Sequence, residues 1–228
     1  MSAAPESHLP QSHLIVKSYS TDARFRAFAL AANAESAKAG GLTYLTRRMH
    51  EVEALEPGTK TSHLWAAQFP TEAARDAAWA ALVESGAAAL LEGEDAAQVL
   101  GLAAVPVEGF PGTEIPTPAS VTPPPNPGPR AYMLIEGTPT DQARVDRYRD
   151  IILPMISGRG AYYTVFELGA SVKVFAGRWS EFIFAISRWP DMAAAHDFWL
   201  SDRYQSVAIP TRTGAGRFSV MLAPGLTG

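Results

Sequence analysis

The chain says the same thing twice, 120 residues apart. Trp79 and Trp199 each stand nine residues after a proline, Pro70 and Pro190. Leu14-Ile15 aligns with Leu134-Ile135, Arg24 with Arg144, Gly40 with Gly160, and Leu102-Ala103 with Leu222-Ala223. Phe28 falls opposite Tyr148, and Phe69 opposite Trp189. Alanine matches carry little weight in an alanine-rich chain, whereas tryptophan and proline are rarer. A fixed-period repeat decides architecture ahead of local detail. It predicts a tandem duplication and sends the search for function to the positions where the two copies differ.

Four segments follow: a disordered arm over 1–11, a first domain over 12–110, a linker over 111–129 and a second domain over 130–228. The linker holds 8 prolines in 19 residues. Such a segment is extended and forms no packed core; at about 3.1 Å per residue it reaches roughly 60 Å. In the first copy, strands are expected at 13–19, 42–49, 62–69 and 99–105, with helices over 22–39 and 71–91. In the second copy, strands are expected at 131–137, 161–168, 181–189 and 217–223. A helix over 140–157 carries Val145, Tyr148, Ile151, Ile152 and Met155 at helical spacing. Pro154 should kink or end it. A second helix opens at Pro190-Asp191, with Met192, Ala195, Phe198 and Trp199 on its buried side.

This βαββαβ order is the ferredoxin-like split βαβ unit. The strand around 181–189 is apolar on both faces, Phe182, Phe184 and Ile186 on one and Ile183 and Ala185 on the other. A strand of that kind is covered on both sides. The expected fold is therefore α+β, two tandem ferredoxin-like units packed sheet to sheet as a pseudo-dimeric α+β barrel within one chain. A monomer with that internal pair, or a homodimer, is expected.

The second copy resembles a known family. The likeness rests on the opening strand YMLIEG, Tyr148, the Gly158/Gly160 turn, the strand FIFAISRWPD, the run from Phe198 to Gln205, and Arg212. Over about residues 130–224 it is similar to a widespread family of small bacterial domains of unknown function in the dimeric α+β barrel superfamily. That superfamily includes antibiotic-biosynthesis monooxygenases and muconolactone isomerase. The first copy matches loosely, with an alanine-rich stretch (78–89) in place of the Phe-Trp-x-Ser run. The resemblance implies that the sheet-to-sheet pairing the family makes between two chains is made here internally. A fold that hosts many activities does not by itself give one.

Composition narrows the function. Net charge is −4, so nothing calls for nucleic acid or an anionic membrane. No apolar run is long enough to span a bilayer, and the opening MSAAPESHLPQSH lacks the pattern of a secretory signal. A cytoplasmic protein is expected. Zero cysteines exclude thiol nucleophiles, disulfides and thiolate metal sites. The copies differ in charge: residues 1–110 hold 8 basic and 13 acidic side chains, residues 130–228 hold 11 and 9. Ten of those 11 are arginine, the residue suited to gripping a carboxylate or phosphate with two hydrogen bonds.

No phosphate loop, nucleophile elbow or His-Glu-x-x-His motif is present. At a spacing of 120, His13 and His63 replace Met133 and Ile183. The pair either lines a cavity, where histidines serve as acid and base near neutral pH, or consists of two separate strand-end residues. No third ligand accompanies them, so no metal site is expected. Glu136 replaces Val16; it is either a strand-end carboxylate in water or a buried acid. His196 has Asp76 as its counterpart, which suggests a solvent-facing position; tilted inward it would meet Trp199 and Tyr204. Arg144, Arg188 and Arg212, with Tyr148, Tyr163 and Trp199, compose a candidate cationic, aromatic pocket, to which Arg147, Tyr162 and Arg178 would add. Such a pocket suits a flat substrate bearing a carboxylate or phenolate.

The leading functional expectation is a cofactor-independent lyase, isomerase or decarboxylase acting on a small aromatic acid or phenol. His13, His63, Glu136 and His196 would move protons, and the arginine–aromatic set would bind substrate. The alternatives are a non-catalytic small-molecule-binding or stress protein, and a cofactor-free monooxygenase whose phenolic substrate itself activates oxygen. No cofactor is expected in any of them.

Overall fold

A computed structural model describes residues 10–91, 97–106, 109, 112, 114–126, 128–168 and 171–226. Most of the expected arm, His8 included, and linker positions 111, 113 and 127 lie outside the described residues. The first half runs β1 (Ser12–Ser18), α1 (Asp22–Lys38), β2 (Leu42–Arg47), β3 (Glu53–Ala54), β4 (His63–Phe69), α2 (Glu72–Glu84) and β5 (Ala97–Ala103). The second runs β6 (Ala131–Pro139), α3 (Gln142–Ser157), β7 (Tyr162–Leu168), β8 (Lys173–Ala176), β9 (Ile183–Trp189), α4 (Met192–Leu200), α5 (Ile209–Arg212) and β10 (Gly216–Pro224). A π-helical turn at Tyr204–Ala208 joins α4 to α5.

Each long helix starts where a short polar side chain caps it. Thr21, Thr71, Asp141 and Asp191 accept the backbone N–H three residues on, at 3.4, 3.1, 3.1 and 2.8 Å. That satisfies one of the orphan donors at a helix N-terminus. After α1 and α3 the chain turns at Gly40 and Gly160, with φ of +73° and +70°, the left-handed region that glycine enters without cost from a Cβ. α3 runs through Pro154 and ends at Ser157, the expected bound. One expectation shifts. α2 stops at Glu84, and Ala87–Leu91 closes instead as a 3-10 turn.

The strands form two antiparallel five-stranded sheets, ordered β2-β4-β1-β5-β8 and β3-β10-β6-β9-β7. Each is a ferredoxin-like sheet of four strands plus a short strand lent by the other half: β3 pairs with β10, and β8 with β5. The far margins close reciprocally too. Val105 N–H donates to Thr164 O at 3.0 Å, and Leu226 N–H to Tyr44 O at 2.9 Å. Both acceptors sit at a register irregularity, in β7 and β2. The two sheets thus pack face to face as an α+β barrel, with helices outside. Among the described residues no helix is long and apolar enough to cross a membrane.

Register corrects the alignment by one residue between the central strands β1 and β6. Ser12 pairs with Phe69 and Ala131 with Trp189, so His13 corresponds to Tyr132 and Lys17 to Glu136. Thus His13 does not replace Met133, nor Glu136 Val16. Side chains alternate across a strand. Ile15, Leu64, Leu100, Leu134, Phe184 and Ile186 point between the sheets. Leu14, Val16 and Trp65 pack on the first pair of helices, and Met133, Tyr163 and Ala185 on the second. The segment expected as a free linker is not idle: Ile115 enters the second helix-side core, and Tyr163 N–H donates to Pro116 O at 2.9 Å.

Candidate functional site

Between α3 and the second sheet lies a cavity of about 120 Å³. Val145, Ile152, Phe166, Ile183, Ala185 and Val220 give it an apolar lining, and Tyr148, Tyr163 and Arg212 supply polar groups. Its rim carboxylate, Asp146, is occupied by Gln142 and Arg149, both at 3.0 Å.

Two differences between the halves shape the cavity. Strand pairing places Ala185 where the first half has Trp65. Trp65 is fully buried; its ring meets Phe28, the counterpart of Tyr148, edge-on at 6.0 Å, and its indole N–H donates to Asn33 at 2.9 Å. Alanine leaves that volume open. The second difference follows from a shared clamp. Arg24 Nε donates to Leu90 O at 2.9 Å, and Arg144 Nε to Thr211 O at 3.1 Å, so the next residues, Leu91 and Arg212, correspond. A buried leucine in one half is a buried arginine in the other.

Arg212 is sandwiched between the rings of Tyr148 and Phe218, at 5.1 and 4.7 Å from their centroids. Its Nη2 donates to Glu56 at 2.5 Å, a residue from the first half, while its buried Nε has no partner among the described residues. Burial pulls the guanidinium pKa down, but Tyr148, Tyr204 and Glu56 more than compensate, and it stays charged. The hydroxyls of Tyr148 and Tyr204 share a hydrogen bond at 2.9 Å. Tyr163 has no hydrogen-bond partner for its hydroxyl among the described residues, although its ring is buried. Burial raises the pKa of all three tyrosines, so each is a neutral phenol able to donate.

The structure therefore brings Tyr148, Tyr163 and Arg212 together here, groups His13, Arg188 and Tyr162 at a second place, and disperses the other expected residues. Trp199 packs on Tyr204, centroids 4.9 Å apart, and supports the tyrosine pair from behind. The guanidinium of Arg144 is taken up by the carbonyls of Pro210, Thr211 and Thr213, so it holds the α5 segment that carries Arg212. His13 and Arg188 sit elsewhere, beside Tyr162, where the two sheets meet. His63 lies five residues further along the sheet and on its opposite face, stacked on Phe25 at 4.6 Å and bonded to Met49 N and Ser20 O, both at 3.0 Å. The two histidines do not share a cavity. Glu136 is buried against Lys17 and Trp179. His196 is a surface residue, its side chain 38% exposed and bonded to Glu53 at 2.7 Å. Arg147 and Arg178 are exposed. Glu56, Phe218 and Ala185 were not anticipated. Ala185 had a legible signal, the loss of a tryptophan at a spacing of 120; Glu56 had none, since it arrives from the other half.

Residues 130–226 match the sequence model of a family described as a domain of unknown function, DUF1330. No curated protein matches the chain. Solved structures of similar shape include a heme-binding protein from Thermus thermophilus, with 15% identity, coverage of 96% of this chain and 92% of that one, and a TM-score of 0.48. A mutant chlorite dismutase from Candidatus Nitrospira defluvii gives 10% identity, 96% and 92% coverage, and 0.49. An anthrone oxidase-like protein gives 10% identity, 95% and 91% coverage, and 0.48. Likeness at these values assigns neither an activity nor a ligand to this chain.

Proposed function

We propose that this chain is a receptor for a small single-ring aromatic compound bearing an oxygen function, held without a cofactor in the cavity beneath α3. One observation carries this reading: the cavity is opened by Ala185 and given its charge by Arg212, at the two positions where the other half is filled by Trp65 and Leu91. Its volume suits one ring; an apolar cavity of about 150 Å³ takes up benzene. The Tyr163 hydroxyl is a free donor for the ligand oxygen, and an apolar pocket with few polar groups is the usual form of a small-molecule site.

Acid–base lyase or isomerase chemistry finds little support at this cavity. A proton-transfer group works best with a pKa near the operating pH. The three tyrosines here are held protonated, and His13, His63, Glu136 and His196 stand elsewhere. A second reading, cofactor-free oxygenation, is favoured by Arg212 alone. A cation facing an apolar cavity stabilises a phenolate, the electron-rich form through which such a substrate would react with oxygen.

Calorimetric titration of the full chain with phenol and with catechol tests the binding reading. Saturable binding is expected, weakened at least about tenfold by Ala185→Leu, which refills the cavity. Absence of binding, or a variant that binds as the parent does, refutes it. Oxygen uptake with a hydroquinone, lost in Arg212→Leu, would make the receptor an oxygenase.

A further inference from the structure

A second and larger cavity, of about 600 Å³, opens where the two sheets meet. Both halves build it from corresponding positions: His13 and Tyr132, Gln68 and Arg188, Leu42 and Tyr162, Tyr44 and Thr164. Arg130 and Asn126, from the chain that joins the halves, wall it on one side.

Its chemistry is one-sided. Two guanidinium groups line it, and no carboxylate does, among the described residues. Arg188 donates to the Tyr162 hydroxyl, but its Nε is buried and has no partner among the described residues. Arg130 rests on the carbonyls of Pro124 and Pro190, at 3.4 and 3.3 Å, and among the described residues no carboxylate pairs with it. His13 lies at the inner wall, 1% exposed. Its Nδ1 is 3.1 Å from the Tyr44 hydroxyl, and its Nε2 is buried without a partner among the described residues. When Tyr44 donates to Nδ1, the ring proton is on Nε2, which becomes a further donor. The Tyr44 and Tyr132 rings lie 4.7 Å apart beside these groups, a flat apolar surface at the same mouth. Two buried polar atoms without partners, beside cations that no lining carboxylate neutralises, are unfavourable, and an oxyanion would offset both.

We propose that this seam cavity is an oxyanion site, taking the carboxylate or phosphate group of a small molecule on Arg188 and the His13 Nε2–H, with Arg130 at its mouth. It is separate from the cavity beneath α3 and opposite in character: that one is apolar, with its arginine already paired to Glu56.

The test is calorimetric titration of the full chain at low ionic strength and near-neutral pH, with succinate, a carboxylate without a ring, and with inorganic phosphate. The parent is compared with Arg188→Gln, which installs the residue the first half carries as Gln68, and with Arg212→Leu. Saturable binding is expected in the parent and in Arg212→Leu, and about tenfold weaker binding in Arg188→Gln. Succinate binding alone identifies a carboxylate site, phosphate binding alone a phosphate site; either supports the proposal. Failure of both anions to bind at millimolar concentration overturns it. So does an Arg188→Gln variant that binds like the parent. Loss of binding in Arg212→Leu also overturns it, by moving the anion to the other cavity. Should Arg188→Gln melt below the working temperature, Arg130→Gln takes its place: several-fold weaker binding supports the site, and unchanged binding refutes it.

Discussion

His13 is buried in a setting that offers it a hydroxyl and no negative charge. Desolvation lowers its pKa from 6.5 to about 3, so the folded protein keeps the ring neutral where the unfolded chain protonates it. Between those two values the unfolded state holds the extra proton. Stability therefore rises with pH across that window and falls on acidification. At one pH unit per about 1.36 kcal/mol, moving from about pH 7.5 to about pH 5 should remove roughly 2 kcal/mol through this residue. His13→Gln, which keeps a partner for Tyr44, should lose that part of the pH dependence. Urea unfolding of both proteins at the two pH values measures it; parallel slopes would mean that His13 is not the group responsible. The same neutrality explains why His13 makes a hydrogen-bond donor rather than the proton shuttle its residue type suggested.

At the scale of elements, the two lent strands decide what was legible. The four long strands and the helix of each βα pair announce themselves by pattern. β3 and β8 do not: two and four residues long, they are specified by partners in the other half. What their sequence does carry is the turn that sets them. Gly177, just after β8, has φ +75°, and a Cβ there would lie 2.0 Å from the Ala97 carbonyl oxygen of β5. Gly58 has φ +82° with nothing within 4 Å. Gly58→Ala should cost about 1 kcal/mol, the left-handed strain alone. Gly177→Ala should cost about 2 kcal/mol or more and speed amide exchange along β5, because β8 must move away. Equal effects of the two changes would show that the β5–β8 contact contributes little. Register was the harder element property to read. A slip of one residue turns every side chain to the other face of a sheet, which is how His13 came to be matched with a helix-side methionine while it faces the other sheet. Residues of the candidate cavity were legible where a distinctive side chain was present, as at Tyr148, Tyr163 and Arg212. They were illegible where the determinant was a missing side chain, Ala185, or a residue from the other half, Glu56.

For the whole molecule, what joins the sheets matters most, and Lys17 with Glu136 is the contact that reports on it. The two residues occupy corresponding positions in β1 and β6 and meet between the sheets, with side chains 6% and 7% exposed. Glu136 also accepts the Trp179 indole N–H at 3.1 Å. A buried pair of this kind adds little net stability over an apolar pair, since both ions are desolvated, yet removing one partner strands the other. Lys17→Met should therefore cost about 3–5 kcal/mol. Adding Glu136→Met should return most of that loss, because the half-exposed Trp179 can turn to water for its acceptor. The reciprocal strands make a further demand: neither half completes its five-stranded sheet alone, so both should unfold in one transition. Denaturant titrations followed by Trp fluorescence and by far-UV circular dichroism test both points together. Coincident single transitions, with a coupling energy of about 2 kcal/mol or more between the two substitutions, are the expected result. Two separated transitions, or additive losses, would mean that the halves fold independently and that the ion pair merely decorates their contact.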